Sequence, residues 1–560
     1  MCWKEQISVV TYPNREFSNL YEDLSRGLLD MDRIDFERLL SSQVKRRRLM
    51  LGAGTLTGLA IASQWSNKVV AQPKFSAYPF SLGVASGDPR PNGVTLWTRL
   101  APDPLNGGGM PQQNVPVQWQ IAADENMRQV VRVGTAIATP ELAHSVHVSL
   151  HDLEPGRWYW YQFKVSNEVS PIGRTRTAPA RGDRLNQLNF AFCSCQKWDD
   201  GYFSAYRRMA EEDLDLVFHL GDYIYENGID STGGIRNVPL PKQFQEEAVT
   251  LDRYRLQYAL YKTDPDLQKA HASFPFVVTW DDHEVDNDYT DAISQDNDPV
   301  KQFLRRRAAA YQAYYEHMPL RQFSLPQGPD TRLYRRLIFG DLAQFSVLDT
   351  RQYRSNQPCG DGETPRCDAA LDPSKTMTGT EQEHWLLRSL DDSQSRWNAI
   401  AQQVLMAELD HKIGPGEIFW NDSWDGYPLA RNRLLSHIAN RKTTNPVVIT
   451  GDWHSTFVND LKLDFKDPKS PTVATEFVVT AISTGGDNNG YDDYYGPKIP
   501  ENPHIKFFDG DRRGYFRVNL NHKRWQTDLR IVTTVSRPDA PVHTFASFVV
   551  ENGRPGVQRV

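Results

Sequence analysis

The sequence predicts two folded parts: a small β-sandwich over residues 78–180 and an α/β layered sandwich over residues 188–535. Three observations predict it. Short stretches of period-2 alternation between turn signals fill the first part. Apolar strands then alternate with helical patterns from residue 188 onward. Four of those later strands end in Cys, Asp or His, the positions where α/β folds place ligand sites.

The chain has 560 residues, 39% hydrophobic and 24% charged. That is ample core material, and it excludes a disordered acidic chain and a membrane bundle. Lys+Arg number 63 against 70 Asp+Glu, a net charge of −7, which excludes a dedicated nucleic-acid or anionic-membrane partner. Five cysteines are too few for a disulfide scaffold. Cys359 and Cys367 close a polar Gly/Pro-rich stretch and suit a disulfide in an exported protein.

Residues 1–75 read as a leader. Lys45-Arg46-Arg47-Arg48 precedes a Gly-containing apolar run, 49–63, too short to span a bilayer. Val69-Val70-Ala71 offers a small-residue cleavage site. Paired arginines before a weakly hydrophobic run resemble a twin-arginine signal, so the export machinery of that route is the expected partner. The expected location is periplasmic or extracellular.

In the first part, VTLWTRL (94–100), VPVQWQIAAD (115–124) and SVHVSLHDL (145–153) read as half-buried strands. Leu153-Glu154-Pro155-Gly156, followed by alternating aromatics through Tyr161, resembles the tyrosine corner of immunoglobulin- and fibronectin-like sandwiches. No nucleophile, base or ligand cluster occurs here. Residues 174–184 read as a linker.

Chemistry collects in the second part. LNFAFCSCQ (188–196) is a strand ending in Ser194-Cys195-Gln196. LDLVFHLGDYIYE (214–226) stops at Gly221-Asp222, with Tyr225 three residues on. FPFVVTWDDHEVDND (274–288) runs into Asp281-Asp282-His283, and PVVITGDWHST (446–456) into Asp452 and His454. Each alone is weak, because a lone Gly-Asp is usually a turn. Four together place oxygen, imidazole and thiolate donors on one edge, which suits a metal cluster. Cys193 reads as a packed thiol. Residues 229–270 and 291–335 are candidate lids, Arg305-Arg306-Arg307 a solvated helix face, and 485–514 a loop bordering the cleft. Residues 536–560 read as a final strand and tail.

GDYIYE, WDDHE and GDWH stand in the order of the superfamily pattern GD, GNH[ED], GHxH. With the added SCQ and Tyr225, the chain resembles the PhoD-like alkaline phosphatase/phosphodiesterase family of the metallophosphoesterases over about 78–535. The departures, Asp282 for Asn and Asp452 for the first His of GHxH, are those of that branch. The resemblance implies a metallophosphoesterase-type catalytic sandwich preceded by a fibronectin/Ig-like domain. It implies hydrolysis of small phosphate monoesters or diesters, with Fe³⁺ and Ca²⁺ as cofactors and a Zn or Mn pair as the alternative. Cys195, Asp222, Tyr225, Asp282, Asn287, Asp452 and His454 are the implied metal ligands, the choice among Asp281, Asp282 and Asn287 staying open. His283 is the implied residue facing the phosphate and leaving group. Attack by metal-bound hydroxide is the expected mechanism, with no protein nucleophile. Arg351 is a further candidate, as a bidentate phosphate contact. The alternatives are a phosphodiesterase or phospholipase-type enzyme with little monoesterase action, or an inactive secreted binding relative.

Overall fold

The computed structural model describes residues 74–560. The signal sequence read over 1–75 lies outside them save its last two residues.

Short, largely apolar strands must be covered on both faces. Gln187–Cys193, Leu216–His219 and Pro275–Val278 meet that need at the centre of a ten-stranded sheet, paired in parallel. Their alternation divides the side chains between two cores. Phe190, Phe192, Leu216, Phe218 and Val277 face a second, seven-stranded sheet, where they meet Phe345, Ala399, Ile449 and Phe477. Phe218 and Phe345 lie 4.6 Å apart, ring to ring. Ala191, Cys193, Val217, Phe276 and Val278 face the opposite way, toward helices Leu251–Lys262 and Val300–His317. The seven-stranded sheet carries helices Gly379–Asp391 and Pro428–Arg441 on its outer face. The body is therefore helix, sheet, sheet, helix, as the sequence predicts.

The N-terminal strands are shared between two structures. Val115–Ala122, Val130–Ala138, Trp158–Val165, Glu168–Val169 and Gly173–Arg176 form a separate five-stranded sheet. Val84–Arg90, Gly93–Arg99 and Ser145–Ser149 pack on it through Val84, Leu96 and Val146. Yet they hydrogen-bond into the ten-stranded sheet, Ser86 in parallel register with Pro275. This explains why Gly93–Arg99 is buried on both faces rather than half-buried: the Trp97 indole donates to the Glu316 carbonyl oxygen beneath it at 3.0 Å. The corner motif forms, with the Glu154 N–H donating to the Tyr159 hydroxyl at 3.0 Å.

Several expectations change. Residues 174–176 of the supposed linker belong to the strand Gly173–Arg176, paired with Trp158–Tyr161. The helices of 229–270 and 291–335 are not lids, because their Tyr254, Tyr258, Tyr261, Tyr311 and Tyr314 fill the core beneath the large sheet. Arg306 and Arg307 are buried, not solvated, Arg306 lying 3.0 Å from Asp286 and Arg307 3.1 Å from Asp330. The tail is a hairpin, Val542–Glu551 with Arg554–Arg559, on the edge of the ten-stranded sheet. Cys359 and Cys367 are disulfide-bonded. Among the described residues, no helix is long and apolar enough to cross a membrane.

Candidate metal centre

The four strand ends converge as their loops turn, and three of the turns are strained at the residues that enter the site. Cys195, Asp222, Asp452 and His454 all adopt left-handed backbone, φ 54–64°. Non-glycine residues held there cost on the order of 1–3 kcal/mol each and gather where function needs them. At Cys195 the turn also ends strand alternation. Cys193 stays in the core, 3.7 Å from the Tyr206 hydroxyl, while Cys195 joins the edge. Gly221 lets two loops touch: a Cβ there would stand 2.4 Å from the Asp281 Cβ. Glu284 locks the same pair, accepting the N–H groups of Asp222 at 3.2 Å and Asp281 at 2.8 Å.

The donor atoms fall into overlapping groups, each within 4.8 Å: Cys195, Asp222 and His454; Asp222, Asp282 and His283; Asp281, Asp282 and Asp452; Asp282, Asp288 and Asp422. The Tyr225 hydroxyl ties the first group together, donating to Asp222 Oδ2 at 2.9 Å and lying 3.0 Å from His454 Nε2. Its ring lies 4.2 Å from the His283 ring. His283 Nδ1 is 2.8 Å from Glu226 Oε2, and the other Glu226 oxygen accepts the Asn287 N–H at 3.0 Å. The side chains of Asp452, His454 and His283 keep 21%, 20% and 14% exposure, so the cluster opens to solvent on their side.

The electrostatics fit a cation-binding set. Burial, above all, raises the Asp222 carboxyl to about 7. Burial and then Asp222 push the Cys195 thiol and the Tyr225 phenol well up. Burial raises Asp452 well above the carboxylate range, with Asp281 adding to it. Burial would also raise Asp282, but Arg351 and His283 hold it well below. Burial opposes charge on His283 too, yet Glu226, Asp282 and Asp222 raise it well above the histidine range. Crowded anions in a dry site call for positive charge. Asp222 Oδ1 and Asp281 Oδ2 are buried without a hydrogen-bond partner, as oxygens awaiting a cation would be. A thiol, a phenol, an imidazole and carboxylates suit a transition metal at one end, and the all-carboxylate groups suit a hard oxygen-seeking ion at the other.

The structure brings seven of the nine residues singled out from sequence together: Cys195, Asp222, Tyr225, Asp282, His283, Asp452 and His454. Asn287 is half-buried beside them and enters through its backbone N–H. Asp281, Asp288 and Asp422 supply further carboxylates. Arg351 needs correction as a phosphate contact. Its side chain is 0% exposed, with Nη1 2.6 Å from Asp422 Oδ2, Nε on Asp281, and Nη2 3.5 Å from Asp282 and 3.6 Å from Asp452. It is the internal counter-charge of the carboxylates. Sequence reasoning missed Glu226, Glu284, Asp422 and Thr484. Glu226 and Glu284 stand inside the GDYIYE and WDDHE motifs, but only the fold shows what they hold.

Such an edge has the donor set that a metal-dependent hydrolase requires. The family model for PhoD-like phosphatases matches residues 190–529, and that for their N-terminal domain matches residues 64–179. The chain belongs to the PhoD-like phosphatase family and is a phosphoric ester hydrolase. It is 48% identical over 535 residues to alkaline phosphatase D of Bacillus subtilis (strain 168), covering 94% of this chain and 90% of the relative. The solved structure of PhoD superposes with a TM-score of 0.83 at 48% identity, covering 87% of this chain and 93% of that one.

Proposed function

We propose that this chain is an exported phosphatase acting on small phosphate monoesters and diesters, with ferric iron and calcium as its ions. The observation that carries the reading is the convergence of Cys195, Asp222, Tyr225 and His454 beside Asp282, His283 and Asp452 on one solvent-open edge. Cys195, Asp222, Tyr225 and His454 would hold the iron. Asp282 and Asp452, with Asp281, Asp288, Asp422 or Asn287, would hold calcium. Bound there, the ions supply Lewis acidity, offsetting phosphoryl charge and making water a competent nucleophile near neutral pH.

The chain's own residues do the rest. Glu226 fixes the ring of His283 through Nδ1, which leaves Nε2 as donor toward the substrate. Protonated, His283 stabilises charge on the phosphoryl oxygens or gives its proton to the leaving oxygen. Arg351 keeps the crowded carboxylates in place and stays out of contact with substrate. Export rests on the basic and apolar runs of 45–63 and on the Cys359–Cys367 disulfide, a bond favoured outside the cytoplasm.

The test is metal analysis of the purified protein together with hydrolysis of a chromogenic monoester and the matching diester, with and without calcium. Bound iron and calcium-dependent hydrolysis are expected, and the ratio of the two rates assigns the ester class. An active protein that holds zinc or manganese and no iron would overturn the iron assignment.

A further inference from the structure

Thr484 lies outside every motif, in the turn after Ala481-Ile482-Ser483, yet it touches two parts of the centre and reaches a third through Arg513. Its hydroxyl is 2.9 Å from the Tyr225 hydroxyl. Its N–H reaches the Cys195 carbonyl oxygen at 3.3 Å. Its own carbonyl accepts Arg513 Nε at 2.7 Å, and Arg513 Nη1 reaches the carbonyl oxygen of His454 at 3.3 Å. Thr484 is therefore anchored to the segments that carry Cys195 and His454 while its side chain meets Tyr225.

The direction of that hydroxyl bond is set by a second one. The Lys197 N–H donates to Thr484 Oγ1 at 3.0 Å. One lone pair of the oxygen is thereby used, and because the Tyr225 proton goes to Asp222 Oδ2 at 2.9 Å, the Thr484 hydroxyl is the donor to the Tyr225 oxygen. The contact is buried, with Thr484 6% and Tyr225 3% exposed, so no bulk water competes for it.

We infer that Thr484 is a positioning residue for the metal centre: it donates a hydrogen bond to the Tyr225 oxygen, fixing the orientation of that ligand and lowering the electron density it offers the metal. The inference rests on Tyr225 being a ligand. Partners of metal ligands act in this way, and removing one typically costs 10–100-fold in metal affinity or activity. Serine could make the same bond, and valine, of the same shape as threonine, could not.

The test compares wild type with Thr484→Val, Thr484→Ser and Tyr225→Phe, each loaded with iron and calcium. Two readouts are taken: metal retained against increasing EDTA, and the visible phenolate-to-iron absorption band. We expect Thr484→Val to release metal at about 10–100-fold lower chelator concentration, and its band to move to longer wavelength because the phenolate becomes the stronger donor. Thr484→Ser should restore both. Thr484→Ala takes the place of the valine variant if that protein does not fold. Metal retention decides the result whichever ion the protein holds. If Tyr225→Phe keeps its metal as wild type does, Tyr225 is not a ligand and the inference falls with that reading. If Tyr225→Phe loses metal while Thr484→Val matches wild type, the ligand reading stands and the role of Thr484 is refuted.

Discussion

Asp222 and Tyr223 are neighbours in sequence and belong to opposite kinds of polar interior. Asp222 sits among carboxylates, a thiol and a phenol, with one oxygen unpartnered and with cluster members open to solvent. Tyr223 joins a closed basic pocket. Its hydroxyl lies 2.7 Å from His271 Nε2 and accepts Lys262 Nζ at 3.1 Å, while Lys262 lies 4.4 Å from the Trp97 ring centre. Burial brings Lys262 down to about 7 and His219 to about 3. Both regions are strongly perturbed, so perturbation alone does not mark a site. What separates them is strain and an opening, which only the Asp222 side has.

The largest effect should come from the open side. Asp222→Asn removes an atom shared by two donor groups and should lower kcat/KM at least about a thousandfold, several kcal/mol, with loss of bound metal. Metal content and steady-state rates check this together, and near-wild-type rates with full metal would refute the shared role. His283→Ala should separate binding from chemistry: metal content holds while kcat falls about 10²–10⁴-fold. A His283→Ala enzyme with wild-type kcat would show that the imidazole does no work in the reaction.

The closed side should answer in stability, not rate. Lys262 is depressed to about 7 when folded, against 10.5 ordinarily. Between those values the unfolded chain holds a proton that the folded chain lacks. Stability should therefore rise with pH across roughly 7 to 10, by up to about 1.4 kcal/mol per unit. Lys262→Met should flatten that rise and stabilise the protein at pH 7, as urea unfolding at several pH values would show. A slope unchanged by the substitution would mean the lysine is not the titrating group. The smallest effect belongs to the remote five-stranded sheet. Tyr159→Phe, which deletes the corner bond, should cost about 1 kcal/mol and leave kcat/KM unchanged. A change in kcat/KM would reveal coupling between that sheet and the metal centre.

Much of the candidate site is legible in the sequence because strand ends announce themselves. An apolar run followed by Gly-Asp, or by Asp-Asp-His, reports a buried strand emerging at a polar edge. Residues that act through others carry no such mark. Arg351 reads as a phosphate contact until the fold buries it among four aspartates. Glu226 and Thr484 become visible only as partners of His283 and Tyr225. Helices 251–262 and 300–317 look like polar lids because tyrosine and arginine count as surface residues in a pattern. Here the tyrosine rings fill the core, and buried Asp286 pairs the Arg306 guanidinium.

The sequence by itself determined the α/β class, the strands that end at the centre, the tyrosine corner and seven of the residues gathered there. These depend on local periodicity and turn chemistry, which each short segment carries alone. Only the tertiary structure decided that Gly93–Arg99 extends the catalytic sheet, that the C-terminal hairpin closes its far edge, and which oxygens of the cluster lack partners. Those follow from pairing between residues up to hundreds of positions apart, where many registers satisfy the same local pattern. The choice among them is made by total burial and by charge balance.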